Sequence, residues 1–162
     1  ETELVVLKQT ISVSQTFATG PVMGRFLKGL KERKILAIRC PVCGRRQSPP
    51  REVCAVCRVR NTEWVEVGPK GDMRMLEYVY YASPDPLTGE TRETPYGAIG
   101  VLLDGCRDEE VFWHLLNPAQ LDRVQMGSVI NGRVRKGSRL RPVWSQERTG
   151  SIDDIQYFEL DT

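Results

Sequence analysis

Residues 40–57 read CPVCGRRQSPPREVCAVC, and this stretch decides how the chain is organised. It contains two CxxC pairs that are separated by ten residues. Each pair turns back on itself in a knuckle, so two pairs direct four sulfurs to one point. Zinc favours such a tetrahedral shell of thiolates. The stretch therefore predicts one zinc ion bound by Cys40, Cys43, Cys54 and Cys57.

The predicted zinc is structural, because four protein ligands leave no open position for a substrate or water. A redox-active dithiol and an iron site are the alternatives for the same cysteines. Gly44 follows the first knuckle and suits a left-handed backbone there, whereas Arg58 holds the equivalent place after the second. Without metal we expect residues 39–64 to lose their order, because metal binding and local folding are one event.

Length and composition describe an ordinary globular chain. Its 162 residues suffice for one domain or two small ones, and 27% of them are charged. Five cysteines, four of them in close pairs, favour metal-bound thiolates in a reducing cytoplasm over a disulfide framework. No apolar run approaches the about 18 residues that a membrane span needs. We therefore expect a cytoplasmic protein with no membrane segment.

The charges are clustered although the formal net charge is only +2, which argues against a dedicated nucleic-acid binder. Basic and acidic residues number nine and two in 31–60, two and eight in 85–122, and seven and one in 123–148. Two interpretations remain open. The clusters are either solvated faces of mixed sign, or basic zones that attract a phosphorylated ligand or an acidic partner.

Three segments are predicted, with boundaries at 1–38, 39–64 and 65–162. The first is an extension with an amphipathic helix, which begins after Gly20-Pro21 because proline is favoured in a first helical turn. Apolar residues recur in it at i, i+3, i+4 and i+7. These residues are Met23, Phe26, Leu27 and Leu30. We expect this face to contact either a partner, as its interface, or the rest of the chain.

The third segment reads as short strands separated by Gly, Pro and Asp turns. Strands are predicted at residues 73–81, 98–103, 111–116, 129–134 and 155–160. Asn117-Pro118 and residues 122–127 suggest a short helical or irregular connection before the fourth strand. This is the pattern of a five-stranded OB-fold barrel, although a small sandwich or an SH3-type barrel would give nearly the same one. The predicted fold class is mainly β, with an N-terminal helical segment, a zinc ribbon and a C-terminal barrel.

No catalytic residue is predicted. The one histidine, His114, lies in an alternating strand, and Cys106 lies in a turn beside Arg107. A nucleophilic cysteine needs a base and an oxyanion hole, and neither can be assigned. No phosphate loop, dinucleotide fingerprint or hydrolase elbow is present in the sequence.

The order of these motifs resembles a known family. The chain is similar, over about residues 22–160, to acyl-CoA-associated proteins that join a rubredoxin-like zinc ribbon to a C-terminal OB-fold. The matching positions are Phe26, residues 40–44, Pro49-Pro50-Arg51, Cys54, Cys57, Trp64, Gly71, Pro95-Tyr96, residues 102–105 and Gly127. The chain departs from the common pattern at Asp72, where many relatives carry a hydroxyl residue, and in its long loop at 84–95.

The resemblance implies a small accessory subunit that pairs with a thiolase-fold enzyme, whose large subunit carries the nucleophilic cysteine. Such partners include acetoacetyl-CoA-forming thiolases, steroid side-chain aldolases and the thiolase that cleaves benzoylsuccinyl-CoA. The small subunit would complete the complex and help to hold coenzyme A. Arginine forks suit phosphates, which makes the basic run the candidate for phosphate contacts. Its residues are Arg133, Arg135, Lys136 and Arg139.

A nucleic-acid-binding module is the alternative, since zinc ribbons and OB barrels also bind single strands. It draws on the same basic run, with Arg141 added. Stacking of bases needs aromatic residues on the same face, and Trp144 and Tyr157 are the candidates. Residues 4–13 are a further candidate for a strand added to a partner.

Overall fold

The computed structural model gives the positions of most of the chain. It describes residues 5–7, 9, 11, 13, 15–85, 87–107, 110–130 and 133–162, without the side chains of residues 129–130 and 133–135. The extended stretches expected at 4–7 and 11–13, and hence the candidate strand at 4–13, fall partly outside the described residues.

The predicted helix is confirmed as α1, Gly20–Lys31, with proline in its first turn. Phe26 and Leu30 are buried in the chain's own core, and Met23 and Leu27 are partly buried against it. The apolar face of α1 was expected to contact either a partner or the rest of the chain. The structure shows the second of these contacts. The assignment of Phe26 and Leu30 to a partner interface is corrected, because these side chains are 1% and 0% exposed.

A three-stranded antiparallel sheet carries the cysteine stretch. Its strands, in the order β2-β1-β3, are β1 (Ile35–Arg39), β2 (Arg46–Gln47) and β3 (Glu63–Val67). α1 turns tightly into β1, where the Lys34 amide donates to the Gly29 carbonyl over 2.9 Å. A Cβ on Gly29 would lie 2.9 Å from the Leu36 side chain, so a larger residue there would have to push Leu36 aside. The boundaries at 38/39 and 64/65 stay a prediction, and they fall inside β1 and β3.

The remaining strands form a second sheet and a separate hairpin. They are β4 (Gly71–Val79), β5 (Tyr96–Leu103), β6 (Val111–Leu115), β7 (Ser128–Ile130), β8 (Arg133–Arg135), β9 (Arg139–Trp144) and β10 (Ile155–Leu160). The five-stranded sheet has the order β10-β9-β4-β5-β6, and β7 and β8 pair only with each other. The single strand predicted at 129–134 is therefore wrong, because this stretch is a hairpin. β9 was not predicted.

The edges of the five-stranded sheet approach each other to make an OB-like, partly open barrel. β6 and β10 meet at one parallel bridge between Leu116 and Phe158. There the Asn117 amide donates to the Phe158 carbonyl over 2.8 Å. The predicted short connection is confirmed as a 3-10 turn at Pro118–Gln120. Its Gln120 accepts from the Leu160 amide over 2.7 Å, which fastens the turn to β10. The predicted mainly-β class is confirmed.

One hydrophobic core joins both sheets and the helix. The ring of Phe112 on β6 lies 6.4 Å from that of Phe26 on α1 and 6.2 Å from that of Phe158 on β10. Ile35 and Ala37 of β1 are fully buried in the same cluster. The cysteine-bearing sheet is thus packed onto the barrel by its own strand and not attached through a flexible linker.

Candidate metal centre

The four predicted ligands converge on one point. The sulfurs of Cys40, Cys43, Cys54 and Cys57 all lie within 4.8 Å of one another. The Sγ atoms of Cys43 and Cys54 are 3.8 Å apart. A regular tetrahedron with zinc–sulfur bonds of about 2.3 Å has sulfurs separated by about 3.8 Å, so the arrangement fits zinc. Cys40 and Cys54 are buried, and the other two are half-buried.

The two knuckles are built alike from the backbone. In the first, the Gly44 amide donates to the Cys40 carbonyl over 3.0 Å; in the second, the Arg58 amide donates to the Cys54 carbonyl over 2.9 Å. Both turns need a left-handed residue, and φ is +68° at Gly44 and +55° at Arg58. The sequence predicted this conformation for glycine, and arginine adopts it at the equivalent place.

The four thiols alter one another's pKa values because they lie close together. The Arg45 amide donates to the sulfur of Cys43 and is the main cause that lowers its pKa to about 6. A hydrogen bond with Cys43 is the largest cause that raises the pKa of Cys57 to about 12, and repulsion from the neighbouring thiolates raises it further. A divalent ion removes this repulsion and lets all four sulfurs ionise together.

Several arginines close to the four cysteines form ion pairs with glutamates of the same chain. Arg39 pairs with Glu63 over 3.2 Å, and Arg60 pairs with Glu52 over 3.8 Å, both at the surface. Arg45 reaches Glu110 over 3.1 Å, and this pair is the most buried of the three. These three arginines near the four cysteines therefore have carboxylate partners, so their charge is already balanced within the chain.

The side-chain amides of two buried residues hold the two knuckles at a fixed spacing. The sequence did not predict them. Asn61 donates through its Nδ2 atom to Gln47 Oε1 over 2.8 Å and to the Arg51 carbonyl over 2.7 Å. Gln47 follows the first knuckle and Asn61 follows the second, and both are buried. No spacing signal in the sequence marks them, because either residue is equally common at an exposed turn.

His114 and Cys106 both have structural surroundings. The His114 ring stacks on Phe112, with centroids 6.0 Å apart, and its Nδ1 accepts from the Leu115 amide. Burial lowers the pKa of His114, so the ring is neutral and its Nε2 faces the Ile152 carbonyl at 3.3 Å. Burial also raises the pKa of Cys106 to about 11, with the charge of Glu110 adding to the effect. Neither group is placed to act as a base or a nucleophile at neutral pH.

The predicted phosphate-binding run divides into separate environments. Arg139 is held by a two-point ion pair with Asp104 and lies 3.7 Å from Asp72. Lys136 is exposed, and the side chains of Arg133 and Arg135 lie outside the described residues. The basic run is therefore not one continuous surface available to a phosphate, because Arg139 is held in an ion pair within the chain.

No helix in the described part of the chain is both long and apolar enough to cross a membrane.

Fold and site together define a zinc-ribbon protein with an OB-like β domain. More particularly, residues 27–63 match the family described as the ChsH2 rubredoxin-like zinc ribbon domain. This match and the four clustered cysteines establish one structural zinc and confirm the ribbon on which the resemblance was based.

Two solved structures share the overall fold. A protein of unknown function of the DUF35 family from Sulfolobus solfataricus is 20% identical, with a TM-score of 0.56, over 88% of this chain and 87% of its own. A chain of a structure titled Ltp2-ChsH2(DUF35) aldolase is 17% identical, also with a TM-score of 0.56, over 91% of this chain and 100% of its own. A search of curated protein sequences gives no significant match.

Proposed function

We propose that this chain is a non-catalytic, zinc-binding accessory subunit of a thiolase-fold enzyme that forms or cleaves carbon–carbon bonds in acyl-CoA. One observation carries the proposal. The chain has the ChsH2 type of zinc ribbon and covers the whole of a chain from a structure titled as an Ltp2-ChsH2(DUF35) aldolase. That aldolase combines two components, Ltp2 and ChsH2, and by analogy this chain belongs to a cytoplasmic hetero-oligomer.

The chemistry of the described residues supports a non-catalytic role. The zinc has four protein ligands, so it offers no position at which a substrate could be polarised. Cys106 is a protonated thiol and His114 is a neutral ring that packs between aromatic residues. In the proposal the nucleophile therefore belongs to the partner. The similarity to the Ltp2-ChsH2(DUF35) aldolase favours an aldolase partner, whereas the sequence resemblance also includes thiolases.

In this proposal the β7–β8 hairpin binds coenzyme A. The hairpin is a two-stranded sheet of its own, and Arg133 and Arg135 stand on one of its strands. Lys136 follows it and is exposed. The ion pair with Asp104 takes Arg139 out of this set. Charge reversal of Arg135 should weaken acyl-CoA binding to the assembled complex, while reversal of exposed Arg51 serves as a control.

Copurification tests the proposal directly. The chain is co-expressed with a thiolase-fold subunit encoded beside it, and only the chain carries an affinity tag. We expect a stable complex of defined stoichiometry, and an acyl-CoA activity that is lost when the chain is left out. Full activity of the large subunit alone would contradict the proposal. A Cys57→Ser variant should lose the complex with its zinc, whereas a matched Cys106→Ser variant should keep it.

The nucleic-acid alternative is less well supported by the charges. Arg141 is paired with Glu159 over 2.8 Å and Arg139 with Asp104, so two members of the basic run are already neutralised. Binding of single strands needs such charges to be free for phosphates. Tight, salt-dependent binding of a single-stranded oligonucleotide would favour this alternative over the enzyme subunit.

A further inference from the structure

A cavity of about 280 Å³ lies beside the start of β5, the end of β6 and the first residues of β10. Its lining includes Arg92, Tyr96, Leu115, Pro118, Gln156 and Tyr157. The cavity is on the barrel and uses neither the zinc ligands nor the β7–β8 hairpin. Its volume is at the lower end of the range for small-molecule pockets, so it suits a ligand of one or two rings.

Most of the residues that line the cavity are apolar or aromatic. Tyr96 and Tyr157 contribute aromatic rings, and Pro95 and Pro118 contribute proline rings. Leu115 and Leu116 add aliphatic surface where β6 ends. Aromatic rings stack face to face with an offset or edge to face, so walls of this kind favour a planar ligand over a branched one.

The Arg92 guanidinium lies at the cavity and is available to bind an anionic ligand. The guanidinium of Arg92 lies 5.1 Å from the centroid of the Tyr96 ring. Within the described part of the chain, no carboxylate lies within ion-pair distance of Arg92. Arg92 is exposed, so its guanidinium can turn toward a ligand in the cavity with little loss of free energy.

The charge balance limits the ligand to a single negative charge. Glu93 also lines the cavity, and it would repel a second anionic group beside Arg92. A polyphosphate is disfavoured here for the same reason.

We propose that this cavity binds a small planar aromatic monocarboxylate, with the ring against Tyr96 and Tyr157 and the carboxylate on Arg92. The inference does not depend on the proposed subunit function, since it uses residues of this chain alone. Its ligand class follows from the shape of the walls and from the one free cation.

Titration of the full, zinc-loaded chain with 2-naphthoate tests the proposal by amide chemical-shift mapping. We expect saturable shifts at Tyr96, Leu115 and Tyr157, and binding at least about tenfold weaker for the neutral 2-naphthamide. That factor is the loss expected for one charge-assisted hydrogen bond. Arg92→Gln should weaken 2-naphthoate binding by the same factor, whereas the matched surface change Arg51→Gln should leave it unchanged.

Three results would overturn the proposal. They are equal affinity for the carboxylate and the amide, unchanged affinity in Arg92→Gln, and shifts that do not map to the cavity. Arg92 is exposed, so its replacement should not unfold the chain. A Tyr157→Leu variant removes one ring and should weaken both probes together. This separates the contribution of stacking from that of the charge.

Discussion

Arg58 illustrates at the scale of one residue how the zinc knuckles constrain the backbone. It adopts φ of +55° directly after Cys57, where the first knuckle has Gly44 at +68°. A left-handed conformation costs a residue with a Cβ about 1–2 kcal/mol, and glycine avoids this cost. Arg58→Gly should therefore stabilise the zinc-loaded protein by roughly 0.5–1 kcal/mol, after the greater chain entropy of unfolded glycine is subtracted.

Denaturant unfolding in the presence of zinc measures this change. Gly44→Ala is the matched control, because it replaces glycine at a left-handed position. It should destabilise the zinc-loaded protein by about 1 kcal/mol. The nearest atom to a Cβ at Gly44 is 3.8 Å away, so the loss would be conformational and not steric. A destabilised Arg58→Gly protein would show that the arginine side chain makes a contact of its own.

Cys106 should be chemically inert at neutral pH although it is the one cysteine outside the zinc site. Its pKa is raised to about 11, chiefly by burial. The thiolate is the reactive form, and at pH 8 only about one Cys106 side chain in a thousand is a thiolate at a given moment. Alkylation by iodoacetamide, followed by peptide mass spectrometry of zinc-loaded protein, should be very slow at pH 7 and should speed up about tenfold per pH unit until it levels off near pH 11. Rapid modification at pH 7 would contradict this environment.

At the scale of the structural elements, the Arg45–Glu110 pair joins the ribbon to the barrel. The two side chains are 15% and 10% exposed, and they lie 65 residues apart in the chain. Removing the carboxylate from a buried pair costs about 3 kcal/mol, because the guanidinium loses a charge-assisted hydrogen bond in a region with little water. Glu110→Gln should therefore destabilise the protein by about this amount in thermal or denaturant unfolding.

The surface pair of Arg39 and Glu63 provides the control. Its side chains are 45% and 56% exposed, and Glu63→Gln should cost less than about 1 kcal/mol because water screens exposed pairs. Equal effects of the two substitutions would mean that the Arg45–Glu110 pair does not connect the two sheets energetically.

The sequence predicted some elements and missed others for physical reasons. α1 was predicted because proline and the i, i+3, i+4 pattern are local signals that survive in the fold. β9 was missed because Pro142 interrupts its apolar pattern, and proline usually argues against a strand. β7 and β8 were merged into one strand although Asn131-Gly132 lies between them, a dipeptide that favours tight hairpins.

The ligands of the site could be predicted almost completely, and its supports could not. The CxxC spacing is a local property of the chain, so the sequence identifies all four sulfurs. Gln47, Asn61 and Glu110 meet their partners only after the sheets have formed. Such long-range contacts leave no periodic trace in the sequence. The same holds for the cavity beside Arg92.

At the scale of the whole molecule, zinc and the common core are coupled. β1 leads directly into Cys40, and its Ile35 and Ala37 are buried with barrel residues. Removal of zinc by a chelator should therefore loosen the ribbon and also lower the stability of the barrel. Hydrogen exchange should show lost protection across residues 39–64 and a smaller loss in β5 and β6. Unchanged protection in β5 and β6 would show that the barrel is independent of the metal.

X-ray absorption at the zinc edge of the purified chain tests the central claim, that four thiolates enclose one structural zinc. We expect one zinc per chain, with four sulfur neighbours at about 2.3 Å and no nitrogen or oxygen ligand. Nitrogen or oxygen in the shell, fewer than four sulfurs, or no stoichiometric zinc would contradict the account.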